Sequence, residues 1–304
     1  MSTFTETPTN EDTTLCFETE THTIKIEHKT LSLGKKQDYI NSGECIDEET
    51  GKKCYWIAAF DGHGNSNVIN AIRSMNLSSY ICKSNPIELM EDYINWISNE
   101  NELWIMSGST VTIVKIFDDT ICCMNSGDSQ SIVFIDGEKI YANELHCLAN
   151  EKEVERLKQI RPYLDVIPST RYIMEDFDKM KLEEILYIEY NDLNSMCMVT
   201  QSLGHCKKLP CSPEIKKIEY TQGQNIDIVV GSDGFFDMIL MTSLTEINDL
   251  VTMSVSELAE KTEKRWKQEW KIADEKNPDK IIISRYAEND YDDLCVGKIS
   301  IISK

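Results

Sequence analysis

The chain has 304 residues, 41% of them hydrophobic and 27% charged, with 52 acidic against 31 basic side chains and a formal net charge of −21. Neutralising nucleic-acid phosphates or an anionic lipid face needs a surplus of Lys and Arg, so this balance excludes both as expected partners. Nowhere do about eighteen apolar residues run together, and no basic segment leads into an apolar one, so a soluble protein is expected. The eleven cysteines include no Cys-x-x-Cys pair, and Cys122-Cys123 lies inside the apolar run Ile121 to Met124. That usage predicts reduced thiols and a cytoplasmic, reducing location.

In chain order, residues 1–22 read as a partly disordered tail, with disorder over about the first fourteen, and 23–304 as a single domain. Alternation from Thr21 to His28 sets Ile24 and Ile26 on one face of a half-buried strand. A strand beginning near Asp38, a turn at Glu48 to Gly51 and the apolar run 55–60 predict a hairpin. Val68, Ile69, Ile72, Met75 and Leu77 then follow near-helical spacing, with Asn65 or Asn67 as the cap, and a second helix follows Pro86. Runs at 109–117, 120–126 and 131–135 are split by Asp118-Asp119 and Gly127-Asp128, the punctuation of a strand meander.

Residues 150–159 read as a charged helix and 163–192 as an acidic, irregular, variable surface insertion. A strand is predicted at 226–230 and a helix start at Ser243. A long amphipathic helix over 255–273 carries Leu258, Ala259, Thr262, Trp266 and Trp270 on one side, as core rather than as a binding stripe. The last strand is predicted at 294–302. Strands in runs with helices in pairs predict an α+β domain whose antiparallel sheets carry helices on their outer faces.

Three aspartates stand at strand edges: Asp61 within Phe60-Asp61-Gly62-His63-Gly64, Asp233 after the apolar run 226–232, and Asp292-Asp293 before the last strand. Hard divalent cations such as Mg²⁺ and Mn²⁺ take oxygen ligands in octahedral geometry. A fold that gathers these carboxylates would therefore make a metal site.

The ordered set of Gln37-Asp38, Asp61-Gly62-His63-Gly64, Ser107-Gly108-Ser109-Thr110, Asn125-Ser126-Gly127-Asp128-Ser129, Ser202-Leu203-Gly204, Ser212-Pro213-Glu214, Ser232-Asp233-Gly234-Phe235-Phe236-Asp237 and Asp292-Asp293 resembles the metal-dependent serine/threonine protein phosphatases of type 2C. The resemblance runs from about residue 23 to the C-terminus. It implies an α/β/β/α sandwich of two central antiparallel sheets, with two Mg²⁺ or Mn²⁺ ions in a cleft at one end of the strands. It further implies hydrolysis of phosphoserine and phosphothreonine in proteins by a metal-activated water, by a monomer acting on a phosphorylated protein substrate. Asp61 looks like the carboxylate shared by both ions, Gly62 the carbonyl ligand, and Asp233 and Asp292 the ligands of the other ion. Asp128 looks like a third-metal aspartate and His63 like the general acid.

The chain departs from the family pattern at several points. Gln37 stands where many members have Glu, leaving Gln37 and Asp38 to position water. No arginine precedes them, so Lys35 or Lys36 is left to meet substrate phosphate. His205 stands where aspartate usually follows Leu-Gly, and Asp292-Asp293 replaces Asp-Asn, leaving either residue as the last ligand. These departures keep open a pseudophosphatase that serves as a protein-binding scaffold. A metal nuclease would also cluster aspartates, but conflicts with the acidic balance.

Overall fold

The structure, a computed structural model, describes residues 12–99, 101–162, 165–190, 195–274 and 277–304. The first eleven residues of the expected tail lie outside the described residues.

Two antiparallel sheets face each other. The first runs in the order Thr13–Glu18, His22–Leu31, Leu294–Ser303, Ile226–Gly231, Gln130–Ile135, Glu138–Ala142. The second runs Leu203–Gly204, Ser107–Ser109, Lys53–Gly64, Val111–Ile116, Thr120–Ser126, Glu214–Glu219, and Asp38–Ile46 also pairs with Lys53–Gly64. The 38–64 hairpin, the meander and the last strand are where the sequence predicts them. The first sheet, however, begins at Thr13, inside the segment expected to be tail.

The central strand Lys53–Gly64 shows why the layers form. Successive strand side chains point to opposite faces, and here both faces are apolar. Ile57 and Ala59 join Ile24, Ile26, Ile228, Val230 and Ile299 between the sheets. Trp56, Ala58 and Phe60 face Val68, Ile69, Ile72, Met90 and Ile94 of the helices Asn67–Ser74 and Pro86–Ser98. Each such side chain, fully removed from water, contributes roughly 1.5–3 kcal/mol of transfer free energy. On the outer face of the first sheet, Phe134, Val229 and Val296 pack against Leu258 and Trp266 of the helix Val255–Lys267. The molecule is therefore an α/β/β/α sandwich. Cys122 and Cys123 obey the same alternation, the first on the helix side and the second between the sheets. All eleven cysteines are unpaired.

Three local readings change. The helix at Asn67 has Ser66 at its cap position with no side-chain cap bond; Asn65, one residue earlier, accepts from Asn67 N through Oδ1, and Val68 N donates to Ser107 Oγ of a neighbouring strand. The predicted helix 255–273 stops at Lys267, and Trp270–Asp274 is a strand with Trp270 and Ile272 buried and Lys271 exposed. Trp270 stays core, as expected, because that strand pairs with Asn277–Ser284. The segment expected to be irregular is instead a long regular hairpin, Asp165–Asp176 with Lys179–Tyr190, and with Ser195–Cys197 and the two strands just named it forms a third sheet. No helix among the described residues is long and apolar enough to cross a membrane.

Candidate metal centre

The carboxylates meet because three strand ends meet. Asp38 and Asp61 are opposite each other in the 38–64 hairpin. Asp233 opens the short helix Asp233–Phe236 directly after Ile226–Gly231, and Asp292 precedes the adjacent strand Leu294–Ser303, where Gly231 pairs with Val296. Gly234 allows this approach, since a Cβ there would sit 2.0 Å from Asp293 O. Asp61 is held by its own main chain: its N–H donates to Thr110 Oγ1 (3.1 Å) and its carbonyl accepts from Thr110 N (2.9 Å). Thr110 Oγ1 is in turn 2.6 Å from Ser129 Oγ. Gly62 lies so close to Gln37 that a Cβ would come within 2.9 Å of its carbonyl oxygen.

Packed together, these groups resist ionisation. Burial pushes Asp61 well above the usual carboxylate range, with Asp233 and Asp38 adding repulsion and Asp233 sharing a hydrogen bond with it. Asp38, buried, is pushed well up in the same way, with Asp292, Asp293 and Asp233 all adding to the effect. Asp292 is raised to about 6 by burial and by Asp233, against the pull of Lys35. Asp128 is raised to about 8, again by burial first and Asp233 second. Asp38 Oδ2 is buried with no hydrogen-bond partner. An all-oxygen set with repelling charges and an unsatisfied buried oxygen fits hard divalent cations.

The two members of the last pair differ in their partners. Asp293 is buried and spends both oxygens on main chain, Oδ1 accepting from Leu33 N (2.8 Å) and Gly34 N (2.9 Å) and Oδ2 from Gln37 N (2.7 Å). Asp292 is the one that faces the cluster. Gln37 works beside it as a staple, its Nε2 donating to Gly64 O at 2.9 Å. Both lysines have exposed side chains, but Lys35 Nζ lies 3.5 Å from Asp292 Oδ1, whereas the carbonyl of Lys36 is taken by Arg73. Burial works against the charge of Lys35, but Asp292, Asp233 and Asp61 together hold its pKa above the ordinary value. Arg73 also donates to Asp38 O (3.0 Å), clamping the 36–38 loop, a role the sequence pattern did not disclose.

His63 stands at the edge of the cluster, and His205 meets it there. Their Nε2 atoms are 2.8 Å apart and Ser202 Oγ is 3.1 Å from His63 Nε2. His205 Nδ1 donates to Ile105 O (2.7 Å). Burial drives the pKa of His63 well down, with His205 adding to the effect, and burial lowers His205 to about 4. On the far side, Arg171 of the long hairpin pairs with Asp237 and lies within electrostatic reach of Asp128. No local motif marks Arg171, because its position depends on the third sheet.

The sequence profile described as Protein phosphatase 2C matches residues 46–268. A comparison with curated protein sequences finds no match. Among solved structures, serine-threonine phosphatase 2C from Toxoplasma gondii is similar with TM-score 0.56 and 11% identity, over 97% of this chain and 100% of that one. A C. elegans sex determining protein is similar with TM-score 0.54 and 14% identity; 91% of this chain matches 64% of that chain. The catalytic domain of serine threonine protein phosphatase PstP, in complex with 2 manganese ions, is similar with TM-score 0.51 and 13% identity over 92% and 98%. At these identities the likeness establishes the fold.

Proposed function

The chain belongs to the protein phosphatase 2C family, and from that membership and the carboxylate cluster we propose that it hydrolyses phosphoserine and phosphothreonine in proteins with the help of two Mg²⁺ or Mn²⁺ ions. The observation that carries the reading is the convergence of Asp38, Asp61, Asp233 and Asp292 at one end of the two sheets. Asp61, Gly62, Asp233 and Asp292 would hold the ions, with Asp128 a further ligand. Bound there, the ions would supply Lewis acidity and a nucleophilic water near neutral pH.

The chain's own residues do the rest. Lys35, with Asp292 as its counter-charge, presents a cation toward an incoming phosphoryl group as a point charge. Asp293, Gln37 and Arg73 fix the loop that carries it. Thr110 fixes the Asp61 main chain, and His63 stands near enough to supply the leaving alkoxide with a proton. A second reading, a scaffold with little activity, is favoured by one feature: His63 Nε2 is engaged by His205.

Hydrolysis of a small aryl phosphate and a phosphothreonine peptide tests the proposal. Activity that requires added Mn²⁺ and disappears in Asp61→Asn supports it. A folded protein inert with every divalent ion supports the scaffold.

A further inference from the structure

We propose that His63, His205 and Cys197 form a separate zinc site beside the carboxylate cluster. One ligand atom from each lies within 4.8 Å of the others. Cys197 and His205 are buried, at 7% and 2% exposure.

The imidazole pair carries the argument. The Nδ1 of His205 donates to Ile105 O, which leaves its Nε2 as an acceptor 2.8 Å from His63 Nε2. That lone pair takes either a proton from His63 or a cation held between the two rings. A carbonyl bond to the remote nitrogen, as His205 makes, is also what fixes metal-binding imidazoles in place. Gly108 makes room: a Cβ there would lie 2.2 Å from His205 Nε2 and 2.4 Å from His63 Nε2. Any other residue would fill the space against which the pair is packed.

The donor set selects the ion. Two imidazoles and a thiolate suit Zn²⁺, whereas Mg²⁺ prefers the oxygen-only cluster next door. Tetrahedral bonds of about 2.0–2.1 Å to nitrogen and about 2.3 Å to sulfur need the nitrogens to part to roughly 3.3 Å, a shift of about half an ångström. Burial pushes the Cys197 thiol up to about 12, so it would give up its proton to solvent as Zn²⁺ binds and not before. Three protein ligands leave a fourth position open, and Ser202 Oγ lies 3.1 Å from His63 Nε2. Zinc held there removes His63 from proton transfer, so it inhibits hydrolysis. This inhibition rests on the phosphatase reading, and the binding does not.

Cobalt serves as the visible substitute. With Mg²⁺ present in excess, one equivalent of Co²⁺ is expected to give a thiolate-to-cobalt charge-transfer band that one equivalent of Zn²⁺ removes. The band is expected to vanish in Cys197→Ser and to persist in Asp233→Asn. Zn²⁺ affinity in His205→Ala, which removes one of three ligands, is expected to fall at least about 100-fold. If Cys197→Ser does not fold, zinc-edge absorption on the unmodified protein decides the matter: one sulfur near 2.3 Å with two nitrogens supports the site. A missing band, a band that survives Cys197→Ser, or a shell without sulfur overturns it. Zinc inhibition of Mn²⁺-activated hydrolysis, relieved in His205→Ala, tests the consequence. A protein inactive with every metal would defeat the phosphatase reading while the cobalt spectrum still reports on the site.

Discussion

Asp38 and Asp61 are partners across the 38–64 hairpin, two carboxylates set opposite each other at the end of a strand pair. Like charges directly opposite in a sheet destabilise it, and Asp233 and Asp292 add to the repulsion. Asp61→Asn is therefore expected to raise the melting temperature of the metal-free protein while lowering Mn²⁺-dependent turnover at least about a thousandfold, since metal ions contribute several kcal/mol to such transition states. Thermal unfolding in a chelator, paired with phosphopeptide hydrolysis, checks both halves.

The same repulsion sets a pH dependence. Asp292 and Asp128, raised to about 6 and about 8 from an ordinary 3.8, hold protons in the fold that the unfolded chain releases. Their contribution to stability is complete below pH 3.8 and is lost as pH rises through those values. Metal-free protein is thus expected to lose ground against the Mn²⁺-loaded form steadily from pH 4 to 8, in melts recorded side by side. Equal slopes for the two forms would remove repulsion as the cause.

His28 works in the opposite direction. It is buried, its Nε2 has no hydrogen-bond partner, and burial lowers its pKa to about 4. The unfolded chain takes up this proton below 6.5 and the fold does not, so stability present above 6.5 is lost as pH falls toward 4. Replacing it by Met is expected to recover up to about 1.4 kcal/mol per pH unit across that window, measured by urea unfolding at pH 7 and pH 5.

Much of this architecture is legible in the residue pattern, because the strands that carry it are either alternating or uniformly apolar. The hairpin at 38–64 and the strands at 226 and 294 follow from that, and so do Asp61, Asp233 and the acidic pair at 292. The helix ending at Lys267 shows the limit. Trp270 continues the spacing Leu258, Thr262, Trp266, and it also fits an alternating strand, so only pairing with 277–284 decides between them. The long hairpin at 165–190 is half-exposed and acidic, and its alternating Met180, Leu182, Leu186 and Ile188 are interrupted by Glu184, which masks the strand pattern. Arg73, Arg171 and Cys197 carry no local signal either. Their partners are brought to them by the fold.

Asp292 and Asp293 allow a direct test of which residue does what. Asp293→Ala strands three main-chain donors and is expected to cost about 3–5 kcal/mol. Asp293→Asn keeps one acceptor oxygen and is expected to cost less, with metal stoichiometry unchanged. Asp292→Asn is expected to lower stoichiometry with little loss of stability. Calorimetric Mn²⁺ titration and chemical unfolding of the three variants separate the roles.

Anomalous diffraction at the manganese edge from crystals soaked in Mn²⁺ tests the central claim most directly. The account predicts two peaks flanking the Asp61 carboxylate, one of them also bounded by Asp233 and Asp292. Peaks elsewhere, or a single ion that leaves Asp61 untouched, would contradict it.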